Sequence, residues 1–275
     1  MRVEKGMKKI LLFTVIVIVS ALGFSSRAFA ENLLSEWGVT PGSNWDPTKA
    51  GVLFDKSVGT LDPGVGGHDF DAEAMYFYHD NSNAYIALVA GIPQDGWPEW
   101  SAAPASNLLP GDFALNFGGS WAKGSTLDYQ FGIKTSSNDD PKIVGGVGQT
   151  GEIYSDVQWG KSYEWNQYNY WGTQNTPTII KGGTLLGLAD FNYYNITGAD
   201  NQIHYVYEAA IPLATSGMNW TSGGSVHWTM TCGNDAENVN FKGFSTNVAP
   251  EPVSAILFLM GGAGLATRKL IKRKK

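Results

Sequence analysis

The feature that most constrains the fold is a series of short aromatic and β-branched runs separated by glycine, asparagine, serine and proline. The clearest is EAMYFYHDNSNAYIALVAG, residues 73–91, where two such runs flank Asp80-Asn81-Ser82-Asn83. Because Asp and Asn accommodate tight turns, this stretch predicts a β-hairpin. Six further runs predict strands: GDFALNFGG, LDYQFGIKTS, EIYSDVQW, TLLGLADFNYY, HYVYEAAIPLA and SVHWTMTCG.

No segment of the body shows sustained apolar periodicity of 3.6 residues, which argues against amphipathic helices. Many short strands joined by turn residues are typical of an all-β protein, here one jelly-roll-like β-sandwich domain over residues 31–245. Residues 91–111 read as one long loop, and loops of that length are usually functional or disordered.

Charge limits the partners that this domain can have. Of the 19 basic and 25 acidic residues, residues 31–249 hold 8 lysines, no arginine and 23 carboxylates, a net charge of −15. Such a surface repels nucleic acid and attracts cations. The single cysteine, Cys232, cannot form an internal disulfide.

The N-terminus has the pattern of a secretory signal peptide, residues 1–30. A basic start at Met1 or Met7 precedes an apolar stretch at 10–19, and small residues end in Ala28-Phe29-Ala30. We expect cleavage after Ala30, because the apolar stretch is short and Ala28 and Ala30 form an A-x-A site. The alternative is a retained membrane anchor.

Residues 246–275 comprise a short linker and a second targeting pattern. Pro250-Glu251-Pro252 precedes a nearly apolar run from Val253 to Thr267, and six of the last eight residues are Lys or Arg. The run is shorter than the roughly 20 residues that span a bilayer. A transmembrane helix of about residues 253–271 is long enough if the side chains of Arg268 and Lys269 extend to the membrane interface. The basic end then lies in the cytoplasm.

This tail resembles the PEP-CTERM sorting signal of Gram-negative bacteria that make exopolysaccharide. The resemblance implies recognition by an exosortase and cleavage near Pro250, Glu251 and Pro252. It implies anchoring in the inner membrane before processing and release to the cell surface or extracellular matrix afterwards. Val253 stands where the family more often has Ser or Thr. A plain C-terminal anchor is the alternative.

Residues 66–235 resemble the strand pattern of family 9 carbohydrate-binding modules and related DOMON-like sandwiches. The quoted strands, an acidic segment before a Tyr-rich strand and a late E-x-x-I-P strand carry this resemblance. It implies a jelly roll that binds sugar or another small ligand, often with structural calcium, and it transfers no catalytic residue.

An acidic segment, HDFDAE, places Asp69, Asp71 and Glu73 at alternate positions. In an extended chain these carboxylates face one side, and calcium prefers such oxygen ligands. Asn234 and Asp235 could add oxygens if the two segments meet. The alternative is a solvated acidic edge.

The most aromatic stretch, residues 154–175, indicates a sugar site. Flat rings pack against the C–H faces of sugars while neighbouring amides bind hydroxyl groups. The candidates are Trp159, Trp165, Tyr168 and Trp171. Trp97 and Trp100 in the long loop are further candidates, and core packing is the alternative for about half of the rings.

No catalytic motif is visible, so we expect no enzymatic activity. G-x-S-x-G, H-E-x-x-H and Walker A sequences are absent. The four histidines, His68, His79, His204 and His227, show no metal-binding spacing and read as structural or surface residues. The sequence therefore favours an exported, non-catalytic protein that binds extracellular polysaccharide. A structural or adhesive matrix protein is the alternative, and a secreted hydrolase or lyase the third.

Overall fold

The computed structural model describes residues 32–56, 67–97, 109–120, 128–136, 148–161, 176–231, 233 and 235–246. Within these ranges the chain forms one short helix and eleven strands, which confirms the all-β prediction. The elements are α1 (Leu33–Trp37), β1 (Leu53–Lys56), β2 (Ala72–His79), β3 (Asn83–Ala90), β4 (Phe113–Phe117), β5 (Phe131–Ile133), β6 (Glu152–Lys161), β7 (Pro177–Leu188), β8 (Asp190–Thr197), β9 (Ile203–Pro212), β10 (Gly224–Thr229) and β11 (Ala236–Phe241).

The strands form two sheets in which every pair of neighbours is antiparallel. Sheet A has the order β1-β2-β3-β9-β8, and sheet B has the order β11-β10-β4-β5-β6-β7. Their facing side chains share one apolar core, where the Phe77 and Phe241 rings stack with centroids 4.5 Å apart. Burying each large apolar side chain stabilises the fold by about 1.5–3 kcal/mol.

The outer face of sheet A is also covered. Leu33, Leu34 and Trp37 of α1 pack on Tyr76 and Val89 in a second buried cluster. Burial of both faces explains why the β3 sequence is a nearly continuous apolar run, since an alternating pattern is expected only where one face meets water.

A β-bulge at Glu73 interrupts β2 near its start. Ala72 pairs with Ala90 and Ala74 pairs with Val89, so Glu73 is the extra residue. Because a bulge reverses the side-chain alternation beyond it, Ala72 faces the shared core while Ala74 faces the outer cluster. The simple alternation expected for this acidic segment therefore does not hold.

The predicted hairpin is confirmed as β2 and β3. The turn is closed by Asp80 Oδ1, which accepts hydrogen bonds from the backbone N–H groups of Ser82 and Asn83 at 2.7 and 2.8 Å. The prediction of a single strand for TLLGLADFNYY is wrong. The chain passes from one sheet to the other at Ala189, so β7 is an edge strand of sheet B and β8 is an edge strand of sheet A.

The predicted targeting segments fall outside the described residues. These are the signal peptide with Ala28 and Ala30, and the sorting tail with Pro250, Glu251 and Pro252. Among the residues that the structure does describe, no helix is both long and apolar enough to cross a membrane.

Candidate functional site

Two histidines share the carboxylate of Glu73. His68 Nδ1 lies 3.1 Å from Glu73 Oε1, and His204 Nδ1 lies 2.6 Å from Glu73 Oε2. The two imidazole rings meet edge to face with centroids 5.0 Å apart. We call Glu73, His68 and His204 the histidine–glutamate cluster.

The remote nitrogen of each imidazole is held by a second oxygen. His204 Nε2 lies 3.0 Å from Asp200 Oδ1, and His68 Nε2 lies 2.8 Å from the backbone carbonyl of Ile203. A proton on each Nε2 satisfies these contacts and leaves each Nδ1 turned towards the same carboxylate.

The three residues of the cluster and the outer contact Asp200 come from four places in the chain. Glu73 projects from the β2 bulge, His68 begins a 3-10 turn at His68–Phe70, Asp200 lies in the turn between β8 and β9, and His204 lies on β9. The turn approaches closely because residue 198 is glycine: a Cβ there would lie 2.3 Å from His204 Nε2. Any side chain at that position would displace the imidazole.

The charges around His204 favour its protonated form. Burial lowers the pKa of His204, but the hydrogen bond and charge of Glu73, followed by those of Asp200, outweigh burial and raise it overall. For Asp200 burial raises the pKa, but the backbone N–H of Gln202 and the His204 imidazole outweigh it, so the Asp200 pKa falls below its ordinary value. Positive charge is therefore stabilised between these two carboxylates.

Within the described ranges, this is the one group of three His, Cys, Asp or Glu residues whose ligand atoms lie within 4.8 Å of one another. Imidazole nitrogen with carboxylate oxygen suits zinc and other transition metals, whereas calcium is bound by oxygen atoms. The sequence, in which the four histidines read as structural or surface residues, did not indicate that His68 and His204 meet at one carboxylate.

The residues expected to hold calcium have different surroundings in the structure. Asp69 lies exposed in the 3-10 turn, whereas Asp71 is buried and Glu73 faces the two histidines. Asp235 approaches β2, where its Oδ2 accepts a hydrogen bond from the backbone N–H of Ala72 at 2.9 Å. Asn234 lies outside the described residues. Calcium binding stays a prediction.

Two of the predicted sugar-binding rings, Trp97 and Trp159, fall in the described part of the chain, and Trp159 is held against sheet B. Its Nε1 donates a hydrogen bond to the Tyr129 carbonyl at 2.7 Å, and a Cβ on Gly132 would lie 2.8 Å from its ring. Trp159 therefore packs over β5 of sheet B. The remaining candidates Trp165, Tyr168, Trp171 and Trp100 lie outside the described residues.

A different aromatic group lies at the margin of the core, and we call Trp97, Tyr193 and Tyr205 the aromatic patch. The Tyr193 and Tyr205 rings are nearly parallel, at 5° with centroids 6.2 Å apart, and Trp97 meets Tyr205 edge to face at 6.4 Å. All three side chains are partly exposed. The patch brings together β8, β9 and the start of the long loop.

Two carboxylates, Asp69 and Asp95, lie close enough to the patch to act on its tyrosines. Burial and then the charge of Asp69 raise the pKa of Tyr205. For Tyr193 burial again raises the pKa most, the backbone N–H of Gln94 opposes it, and the neighbouring Tyr205 and Asp95 add to the rise. Of the residues in and around the patch, the sequence indicated only Trp97, as a sugar-binding candidate, and Asp69, as a calcium ligand. Tyr193 and Tyr205 were not predicted, although each lies on one of two consecutive predicted strands that are rich in tyrosine.

Comparison of the chain with protein-family models, with curated proteins and with solved structures finds no match.

Proposed function

We propose that this chain is an exported surface or matrix protein whose β-sheet domain binds extracellular polysaccharide without catalysing a reaction. The observation that carries the proposal is the aromatic patch, where the nearly parallel Tyr193 and Tyr205 rings and Trp97 lie partly exposed beside Asp69 and Asp95.

The patch has the chemistry that sugars require. Aromatic faces bind the apolar C–H faces of pyranose rings, and nearby carboxylates accept hydrogen bonds from hydroxyl groups. Because Tyr193 and Tyr205 are held by neighbouring antiparallel strands, their spacing is fixed before a ligand arrives, which lowers the entropy lost on binding.

The proposal also covers the arrangement of the two sheets and the location of the protein in the cell. The two sheets form a jelly-roll-like sandwich between a signal peptide helix and a C-terminal transmembrane helix. An exosortase processes the tail near the Pro250-Glu251-Pro252 motif. The protein is anchored in the inner membrane of a Gram-negative bacterium before processing and lies at the cell surface or in the matrix afterwards. Its ligand is a polysaccharide of that matrix, and calcium supports the domain.

One observation favours a structural or adhesive role as the second candidate. Leu185 and Leu188 are 54 and 64 % exposed on β7, which is the edge strand of sheet B. Exposed apolar side chains on an edge strand favour association between protein chains.

The test is retention of the full 275-residue chain on a panel of immobilised polysaccharides that includes the matrix of the producing cells. We expect one glycan to retain the wild-type protein and at least about tenfold weaker retention for Tyr193→Ala and Tyr205→Ala, since aromatic contacts dominate such sites. Tyr78→Ala is the matched control, because Tyr78 is also a partly exposed tyrosine but packs against the outer cluster of sheet A.

Equal retention of the wild-type protein and both patch variants would contradict the assignment of the patch. Retention on no polymer, combined with self-association that Leu188→Asp abolishes, would favour the adhesive role. Repeating the assay with calcium and with a chelator tests the calcium prediction separately.

A further inference from the structure

We propose that the histidine–glutamate cluster is a binding site for a divalent transition-metal ion of the zinc type. The ligands are His68 Nδ1, His204 Nδ1 and a carboxylate oxygen of Glu73, all of which belong to one group within 4.8 Å. This inference does not depend on polysaccharide binding.

The outer contacts of the imidazoles are those of metal-binding histidines. A histidine that binds a metal through one nitrogen usually donates its other N–H to a carboxylate or a backbone carbonyl. Asp200 Oδ1 fills this role for His204, and the Ile203 carbonyl fills it for His68. Both contacts hold a proton on Nε2, so a metal ion can replace the proton that each Nδ1 would otherwise donate to Glu73.

The charge of the cluster calls for a cation. Glu73 and Asp200 bring two negative charges to a site where the His204 side chain is fully buried and the Glu73 side chain is 9 % exposed. One divalent ion on two neutral imidazoles balances both carboxylates at once. Without the ion, protons on the imidazoles have to supply the same charge.

Only a small movement separates the present geometry from coordination. Ligand atoms about 2.0–2.1 Å from a tetrahedral zinc lie roughly 3.3 Å apart. His68 Nδ1 lies 3.1 Å from Glu73 Oε1, His204 Nδ1 lies 2.6 Å from Glu73 Oε2, and one ligand atom from each residue lies within 4.8 Å of the others. Each separation therefore has to change by no more than about 1.5 Å to reach the tetrahedral value. Glu73 can supply this shift because it is the extra residue of a bulge and is not fixed by a regular ladder.

The cluster is open on one side. The His68 side chain is 17 % exposed, so an ion and a water molecule can approach past it, while the Trp45 ring covers His204 edge to face at 5.7 Å. Three protein ligands and one open position are characteristic of zinc sites that hold a water molecule.

The experiment is titration of the full, chelator-treated chain with Zn²⁺ alone and separately with Ca²⁺, followed by Co²⁺ substitution and visible spectroscopy. We expect one Zn²⁺ per chain, no competing Ca²⁺ at the same site, and Co²⁺ absorption bands of low-coordinate nitrogen and oxygen ligation. His68→Ala and Glu73→Gln should weaken Zn²⁺ binding by at least about 100-fold. Asp200→Asn, which alters an outer contact, should weaken it by about 10- to 100-fold.

His79→Ala is the control for unspecific imidazole binding, since His79 stacks on Phe244 at 3.6 Å and lies at the far end of β2. Its Zn²⁺ affinity should equal that of the wild-type chain. His68→Ala is the principal variant because His68 lies at the exposed side of the cluster, and circular dichroism establishes that it is folded. Unchanged Zn²⁺ affinity in folded His68→Ala, or stoichiometric binding lost equally in His79→Ala, would overturn the proposal.

Discussion

Lys134 Nζ lies 3.3 Å from Asp112 Oδ2, and neither side chain is exposed to solvent. The same carboxylate accepts hydrogen bonds from the backbone N–H groups of Thr135 at 3.0 Å, Ser136 at 3.3 Å and Ile180 at 2.9 Å. Lys134 also contacts Ser136 Oγ at 2.6 Å. One buried carboxylate therefore ties the start of β4 to the segment after β5 and to β7.

We expect Asp112→Asn to lower the free energy of unfolding by about 3–5 kcal/mol, because removing one partner leaves the Lys134 charge buried and uncompensated. Urea denaturation of the purified chain measures the change. Asp112→Asn combined with Lys134→Met should recover much of the loss, since the double variant buries no charge.

The exposed ion pair of Asp46 and Lys56, at 2.9 Å, supplies the control. Asp46→Asn should change the free energy of unfolding by no more than about 1 kcal/mol. A loss at Asp112 as small as that at Asp46 would mean that the buried pair does not hold the three segments together.

His227 predicts a loss of stability on mild acidification. The side chain is buried beside Tyr129, and burial lowers its pKa from 6.5 to about 4 despite the contact of its Nδ1 with Asn238 Oδ1 at 2.7 Å. The unfolded chain therefore binds a proton first, and the stability falls as the pH drops from about 6.5 to about 4. A shift of this size is worth about 3 kcal/mol at most.

The measurement is the unfolding free energy at pH 7.0 and pH 4.5 for the wild-type chain and for His227→Gln, which keeps a donor for Asn238 but cannot be charged. The variant should lose less stability than the wild type on acidification. Carboxylates contribute equally to both proteins, so the difference reports on His227. Identical losses would rule out the buried neutral state of this histidine.

Local features of the fold were predictable from the sequence. The β2–β3 hairpin followed from the Asp80 turn and the two apolar runs, because its determinants lie within 19 adjacent residues. The short strand β1 and the polar strand β11 were missed, since neither carries an apolar run. The break at Ala189 was also missed, because the residues on both sides have the same strand propensity and only tertiary packing places them in different sheets.

The candidate sites depend on contacts that one-dimensional spacing cannot reveal. Glu73 and His204 lie 131 positions apart and on strands that β3 separates in sheet A. Their meeting depends on the strand order and on the bulge at Glu73. The sequence predicted that Glu73 binds calcium together with Asp69 and Asp71, whereas the structure places its carboxylate against two imidazoles. The aromatic patch similarly depends on the pairing of β8 with β9, which brings Tyr193 and Tyr205 together.

We expect that replacing the buried Glu208, on the outer face of sheet A, stabilises the fold. Its side chain is buried and accepts hydrogen bonds from Tyr194 Oη at 2.9 Å and from the Leu34 N–H at 3.3 Å. Burial outweighs these contacts and raises the pKa of Glu208. The folded state therefore holds its proton to higher pH than the unfolded state, and this contribution to stability is lost as the pH rises through the pKa of the folded protein.

Glu208→Gln keeps an acceptor for Tyr194 without the charge, so we expect a higher thermal midpoint than wild type at pH 8 and a smaller difference at pH 4. Thermal unfolding of both proteins at pH 8 and at pH 4 measures this difference in midpoint. Glu36→Gln, at an exposed position of α1, should show no such gain. A lower midpoint for Glu208→Gln at pH 8 would show that the ionised carboxylate stabilises the fold.

Gly91 predicts a severe steric effect where β3 ends. A Cβ at this position would lie 1.6 Å from the His68 backbone oxygen and 2.6 Å from its carbonyl carbon, so Gly91→Ala has to displace the 3-10 turn that carries His68. Because backbone atoms cannot move aside cheaply, we expect a loss of at least about 1–3 kcal/mol in the free energy of unfolding. Gly187→Ala on β7 is the control, since a Cβ there meets nothing within 4 Å. Urea denaturation of both variants, with their Zn²⁺ affinities, tests the close approach: Gly91→Ala should lose stability and metal affinity together, whereas equal stability of the two variants would show that the turn does not pack against Gly91.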